Sequence, residues 1–168
     1  MRRVLVLGAS GMFGTAVERI FKESGLEVFG PGHSELDILD RSQLEKKIDE
    51  ITPEAIVNSA VFMGIPACED NPQRAFEINT VAALELARIC KKRGIVLVQT
   101  STNAIFDGKK GDLYVETDAP NPQNIYGLSK YAGEVGVRNT VPMHYIVRFP
   151  KLFGPRRNDT WIYRQDAC

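Results

Sequence analysis

The sequence predicts an α/β fold, a doubly wound parallel sheet covered by helices on both faces. Short apolar runs alternate with longer amphipathic segments along the whole chain. The runs are rich in Val and Ile and nearly unbroken by polar residues, as strands buried on both faces require. With 168 residues, 43% of them hydrophobic, the chain fills one core of ordinary size.

The candidate strands are residues 4–7, 26–29, 55–59, 95–100 and 145–149. Between the first two, Phe13, Ala16, Val17, Ile20 and Phe21 follow i, i+3, i+4 spacing, so a helix runs there and ends near Gly25. A second, short and surface-packed helix starts after Asp40, a good N-cap with Gln43 three residues on, and buries Leu44, Ile48 and Ile51. The third and longest begins with Asn71 as cap and Pro72 as first helical residue, then continues to Gly94. The fourth covers residues 124–138, and its Gly127, Gly133 and Gly136 imply close packing, because each costs roughly 1 kcal/mol against Ala in a helix interior. Residues 107–122 form one long loop rich in Pro and Gly, of the kind that carries function in a compact domain.

Lys plus Arg and Asp plus Glu each number 21, so no strong positive field is available for nucleic acid or an anionic membrane surface. No apolar run approaches a membrane span or a signal-peptide core, and a cytoplasmic location is the expectation. Cys68, Cys90 and Cys168 form no CxxC pair and have no nearby His cluster, which predicts incidental or buried thiols and no metal site.

After the first strand comes Gly8-Ala9-Ser10-Gly11-Met12-Phe13-Gly14, a G-x-x-G-x-x-G turn opening directly into a helix. Glycines there let the backbone approach a pyrophosphate, while the free N–H groups of the helix start face the anion. In that strand-to-helix context the turn predicts a Rossmann-type dinucleotide site. An acid at the end of the second strand would hold a ribose 2′-hydroxyl, but none precedes Glu35. That leans toward NADP(H) over NAD(H), with His33, Ser34 or Arg2 and Arg3 as phosphate partners.

Tyr126 and Lys130 stand at i and i+4 on one helical face, where an ammonium lowers the phenol pKa toward the range useful for proton transfer. Thr100-Ser101-Thr102-Asn103 ends the fourth strand, where open α/β sheets place ligands, and a hydroxyl there can bond a substrate carbonyl. Asn79 lies on an otherwise apolar helical face. A buried amide needs partners, so it either ties down backbone or also fixes a water or the catalytic lysine.

These motifs together resemble the extended, sugar-nucleotide branch of the short-chain dehydrogenase/reductases, and more narrowly the dTDP-4-dehydrorhamnose reductase family of dTDP-rhamnose biosynthesis. The matching stretches are GASGMFG at 8–14, ELDILD at 35–40, IVNSA at 56–60, INTVAA at 78–83, STNAIFDG at 101–108, ETDAPNPQNIYGLSKYAGE at 116–134 and VRFPKLFGPR at 147–156. The resemblance implies an NAD(P)-binding Rossmann domain over residues 1–157, with 158–168 an unmatched tail. It implies a reductase that transfers a hydride from NADPH or NADH to a nucleotide-linked 4-keto sugar. Tyr126 would be the general acid, Lys130 would lower the Tyr126 pKa and hold the ribose hydroxyls, and Thr102 would orient the carbonyl. The cofactor would be held by Gly8, Ser10, Gly11, Met12, Phe13, Gly14, His33, Asp37, Ile38, Asn58, Ser59, Ala60 and Asn79 together with Tyr126 and Lys130. Asp37 would meet the adenine amino group, and Asn58 and Ala60 would line the cleft.

The chain departs from the family at Asn103 and Ala104, where an acid and a tyrosine are usual. The resemblance also implies a substrate lobe after residue 156, and a truncation that removes it is the expectation. Impaired turnover and a homo-oligomer are the expectations. Alternatives are a nucleotide-sugar epimerase or dehydratase, and a cofactor-binding regulatory subunit without turnover.

Overall fold

A computed structural model describes residues 2–154. The expected tail, with Trp161, Ile162, Tyr163 and Cys168, lies outside the described residues, as do Pro155 and Arg156 of the last family stretch.

Among the described residues the five apolar runs form one wholly parallel sheet. Its strands are β1 (Arg3–Leu7), β2 (Glu27–Phe29), β3 (Ala55–Asn58), β4 (Val96–Thr102) and β5 (His144–Phe149), in the order β2-β1-β3-β4-β5. The register sets Leu7 beside Asn58, Asn58 beside Gln99, and Thr102 beside Phe149. The carboxyl ends of β1, β3, β4 and β5 therefore share one rim. The strand order reverses between β1 and β3, which opens a crevice at that rim.

Side chains alternate across the sheet into two cores. Leu5, Ile56 and Leu97 meet Leu44 and Ile48 of α2 (Arg41–Ile51), Leu86 and Ile89 of α5 (Ala82–Arg93) and Val137 of α6 (Ile125–Thr140). Val4, Val6 and Val57 face Phe13, Val17 and Phe21 of α1 (Met12–Glu23). As expected, α2 buries Leu44, Ile48 and Ile51, and all three enter the larger core. Its start is as expected, since the Asp40 carboxylate accepts from the Gln43 N–H at 3.0 Å. Burial on both faces holds only for the inner strands. Among the described residues β2 and β5 are edges with a single neighbour each, and Tyr145 is 66% exposed.

The third helix differs most from expectation. A short helix, α3 (Ile65–Asp70), precedes it, and the Asn71 amide donates back to the Ala67 carbonyl at 3.4 Å instead of capping. Pro72 does begin α4 (Pro72–Phe76), but a π turn over Glu77–Val81 separates α4 from α5. α5 ends at Gly94, whose φ of 66° is the left-handed cap. Close packing of the α6 glycines is real at two of three positions. A Cβ on Gly127 would lie 2.2 Å from the Ala104 carbonyl oxygen, and one on Gly133 would lie 2.2 Å from that of Asn79. At Gly136 the nearest atoms belong to the Leu84 side chain at an ordinary 3.5 Å. Cys68 and Cys90 are buried free thiols, and among the described residues no helix is long and apolar enough to cross a membrane.

Candidate active site

The glycine turn follows β1 directly, and Gly8 adopts φ 78°, a conformation other residues rarely take. A Cβ there would stand 2.7 Å from the Ala60 nitrogen, and one on Gly14 would stand 2.3 Å from the Gly8 oxygen. The turn is pinned by the Gly11 N–H donating to the Gly8 carbonyl at 3.0 Å, and Gly11 is the N-cap of α1. Ser10 and Gly11 are exposed at the mouth of the crevice. The backbone is thus bared at a helix N-terminus, which suits an anion such as a pyrophosphate.

Beside the turn lies a small groove that gathers five of the expected cofactor residues, Gly8, Ser10, His33, Ile38 and Ala60. Leu7, Pro31 and Leu36 complete its apolar wall and were not singled out in the sequence. Apolar residues flanking the end of a parallel strand were the available signal. Met12 and Phe13 begin α1; Phe13 packs on Phe149 with ring centroids 4.8 Å apart, joining the turn to β5.

Several expected cofactor residues are placed otherwise. Asn58 does not line the groove. It is 1% exposed, accepts from the Ala60 N–H at 3.2 Å and donates to the Gln99 side chain at 2.8 Å. Ser59 donates its hydroxyl to the Leu7 carbonyl at 2.7 Å, fastening β3 to β1. The exposed Asp37 carboxylate accepts from the Leu39 N–H at 2.9 Å through one of its two oxygens. Asn79 ties down backbone: its amide accepts from the Phe62 N–H at 3.0 Å and donates to the Phe62 carbonyl at 2.9 Å and the Ser129 hydroxyl at 3.0 Å. Of the suggested phosphate partners, Arg2 pairs with Glu54 at 3.8 Å, and Arg3 opens β1 at the amino end of the sheet, away from the glycine turn.

The chemical residues converge on the opposite side of the crevice. Asn124 caps α6 by accepting from the Gly127 N–H at 2.8 Å, and Glu69 of α3 accepts from the Ile125 N–H at 2.8 Å. Gly127 lets this helix start press on the turn at Asn103–Ile105, which brings Tyr126 against the Thr102 hydroxyl. The approach is held from the loop side as well. Asp107 accepts from the Lys109 N–H, the Tyr114 hydroxyl and the Asn121 amide, and these donors pull its carboxyl down to about 2.

Lys130 is 3% exposed and donates to the Thr100 carbonyl at 2.7 Å. Burial lowers it to about 8, while the Glu134 carboxylate one turn on favours its charged form. The expected lowering of Tyr126 by Lys130 is not what the structure gives. Burial raises the Tyr126 phenol, and the group working against that is the Thr102 hydroxyl. The reason is geometric, because the ammonium is aimed at backbone of β4.

Residues not singled out in the sequence hold this arrangement. Glu134 is fully buried and takes a bidentate grip from Arg148 of β5, at 3.0 and 3.2 Å from Nε and 2.7 Å from the second nitrogen. Gln99 completes the polar interior under the rim. An acid four residues after Lys130 and a glutamine inside an apolar strand were the signals.

A parallel sheet with order reversal beside a glycine turn, and a half-buried Tyr126 and buried Lys130 across the crevice, define a Rossmann-like α/β fold with a two-sided site. The chain belongs to the RmlD substrate binding domain family, whose family model matches residues 1–163. Among its relatives, the dTDP-4-dehydrorhamnose reductase of Streptomyces griseus is 35% identical over 90% of this chain and 50% of that protein. The methionine adenosyltransferase 2 subunit beta of Xenopus tropicalis is 33% identical over 91% and 48%. The crystal structure of dTDP-4-dehydrorhamnose reductase from Bacillus anthracis in complex with NADP superposes with a TM-score of 0.89 at 32% identity, covering 95% of this chain and 57% of that one. The chain spans about half the length of the curated relatives it matches.

Proposed function

We propose that this chain binds NADP(H) or NAD(H) and serves the reduction of a nucleotide-linked 4-keto sugar, as a short-chain dehydrogenase/reductase. The observation that carries this is the cradle at Gly8, Gly11 and Gly14, where any Cβ would enter space bordered by backbone, set beside a groove lined by Ser10, His33, Ile38 and Ala60. Gly11 and the start of α1 would hold the pyrophosphate, His33 and Ile38 the adenosine end, and Lys130 the nicotinamide ribose. When bound, the reduced nicotinamide supplies the hydride.

The rest is work for this chain's own side chains. The raised pKa keeps the Tyr126 phenol protonated at neutral pH, so it holds a proton to deliver to the keto oxygen. Thr102, already against that phenol, orients the carbonyl. Lys130, seated on the Thr100 carbonyl, keeps most of its charge at pH 7 and so can donate to the ribose hydroxyls.

A second reading, a cofactor-binding subunit without turnover, is favoured by the 33% identity to a protein named as a subunit. Calorimetric titration with NADPH and NADH tests what both readings share, and absence of heat with either cofactor rejects both. NADPH oxidation with a panel of nucleotide-linked 4-keto sugars separates them. Under the reductase reading Tyr126→Phe keeps cofactor affinity and loses about 10² to 10⁴ in rate.

A further inference from the structure

A continuous chain of hydrogen bonds runs beneath the rim from the groove wall to the lysine. The Ala60 N–H donates to Asn58 Oδ1 at 3.2 Å, Asn58 Nδ2 donates to Gln99 Oε1 at 2.8 Å, and Gln99 Nε2 donates to the Thr100 carbonyl at 3.0 Å. Lys130 Nζ donates to that same carbonyl at 2.7 Å. Asn58, Gln99 and Lys130 are 1%, 3% and 3% exposed, so water does not compete for these bonds.

The direction of the chain is fixed at both ends. A backbone N–H can only donate and a backbone carbonyl can only accept, so turning over either amide sets donor against donor or acceptor against acceptor. We propose that Gln99 is a positioning residue that couples the cofactor-groove wall at Ala60 to the Lys130 ammonium through this one-way amide relay. The proposal rests on the reading of the groove as a cofactor site and of Lys130 as a group that meets the cofactor.

The coupling follows from shared atoms. Displacing Ala60 pulls on Asn58, which has no freedom to reorient, and so moves the Gln99 amide and the carbonyl on which Lys130 is seated. The Thr100 hydroxyl adds a second tie by donating to the Asn58 carbonyl at 3.0 Å, so β3 and β4 move together at this level. Apolar packing alone cannot transmit direction in this way, because a buried amide left without partners costs more than one that shifts with its neighbours.

Two isosteric variants test the relay. In Gln99→Glu an ionised carboxylate can still accept from Asn58, but the oxygen in place of Nε2 meets the Thr100 carbonyl acceptor to acceptor, which breaks that link and leaves the carboxylate near the ammonium on the shared carbonyl. An opposite charge at ~4–6 Å raises a lysine pKa by roughly 1 or more. The other charged and titratable groups around Lys130 are unchanged: Tyr126 and Glu134 on α6, and Arg138 and Arg148 beyond Glu134. The Lys130 titration, read by NMR of 13C-labelled lysine, is expected to move upward from about 8. No movement overturns the proposal.

In Gln99→Met the volume is kept and both bonds are lost, so NADPH affinity by calorimetry is expected to fall roughly tenfold. A residue that only fills space predicts unchanged affinity, and that result also overturns the relay. Should Gln99→Met fail to fold, the titration in Gln99→Glu decides. If the unaltered protein does not bind NADPH, the cofactor reading fails, while the Lys130 titration still reports on the relay.

Discussion

Two glycines three residues apart on α6 are expected to respond to alanine with opposite sign. Gly133 and Gly136 are both helical, so each substitution gains up to ~1 kcal/mol of helix propensity. At Gly133 the new Cβ would sit 2.2 Å from the Asn79 carbonyl oxygen and 3.4 Å from its carbon. Both are backbone of the π turn, which cannot swing aside as a side chain can. Overpacking of this kind costs about 1 to 3 kcal/mol or more. Moving α6 away from the turn also strains the Thr80 hydroxyl's 2.7 Å bond to the Ser129 carbonyl and the 3.0 Å bond from Asn79 to the Ser129 hydroxyl. With the second bond at risk added, the net loss comes to about 2 kcal/mol, or ~4–8 °C in Tm for a chain of this size. At Gly136 the Leu84 side chain lies 3.5 Å away, ordinary contact, so propensity wins and Gly136→Ala stabilises by ~0.5–1 kcal/mol. Urea unfolding of both variants with the unaltered protein measures the pair. A neutral or stabilising Gly133→Ala would show that the π turn yields to α6, and the packing argument would be wrong.

Gly11→Leu is expected to abolish NADPH binding at a modest cost in stability, since the residue is exposed and its φ of −76° is ordinary but its Cβ would lie 3.3 Å from the Gly8 carbonyl oxygen; calorimetry and a melting curve check the two halves. Lys130 makes stability depend on pH with a definite sign. Its folded pKa of about 8 lies below the ordinary 10.5, so below pH 8 the cost of burying the charge is fully present, and it is relieved as pH rises through that window. Relative to Lys130→Met, the unaltered protein should therefore gain up to roughly 3 kcal/mol between pH 7 and 10, and a parallel pair of urea-derived curves would refute this. The outer edge of β5 has no partner strand among the described residues and carries the exposed Tyr145, so light scattering of the chain is expected to show a dimer or larger assembly. A clean monomer would count against that.

The sheet, the glycine turn and the helix starts at Asp40 and Asn124 were legible in the sequence because their causes are local. An apolar run of four or five residues bounded by turn residues, a carboxylate three residues before the N–H it caps, and a glycine that must take φ 78° all declare themselves within a few positions. Parallel pairing followed as well, since each strand is separated from the next by a helix's length. Tertiary structure decided what depends on which faces meet. The π turn at Glu77–Val81 has no signature in its own residues; it lies where Gly133 presses on Asn79 and where Thr80 reaches Ser129, some 50 positions away. The same is true of the site. Tyr126 and Lys130 share a face by spacing, yet the lysine turns to a carbonyl 30 residues back, and Asn58 turns inward to Gln99. A side chain's type and period tell that it is buried and polar, but its partner is chosen by strand register and helix approach, which only the folded chain supplies.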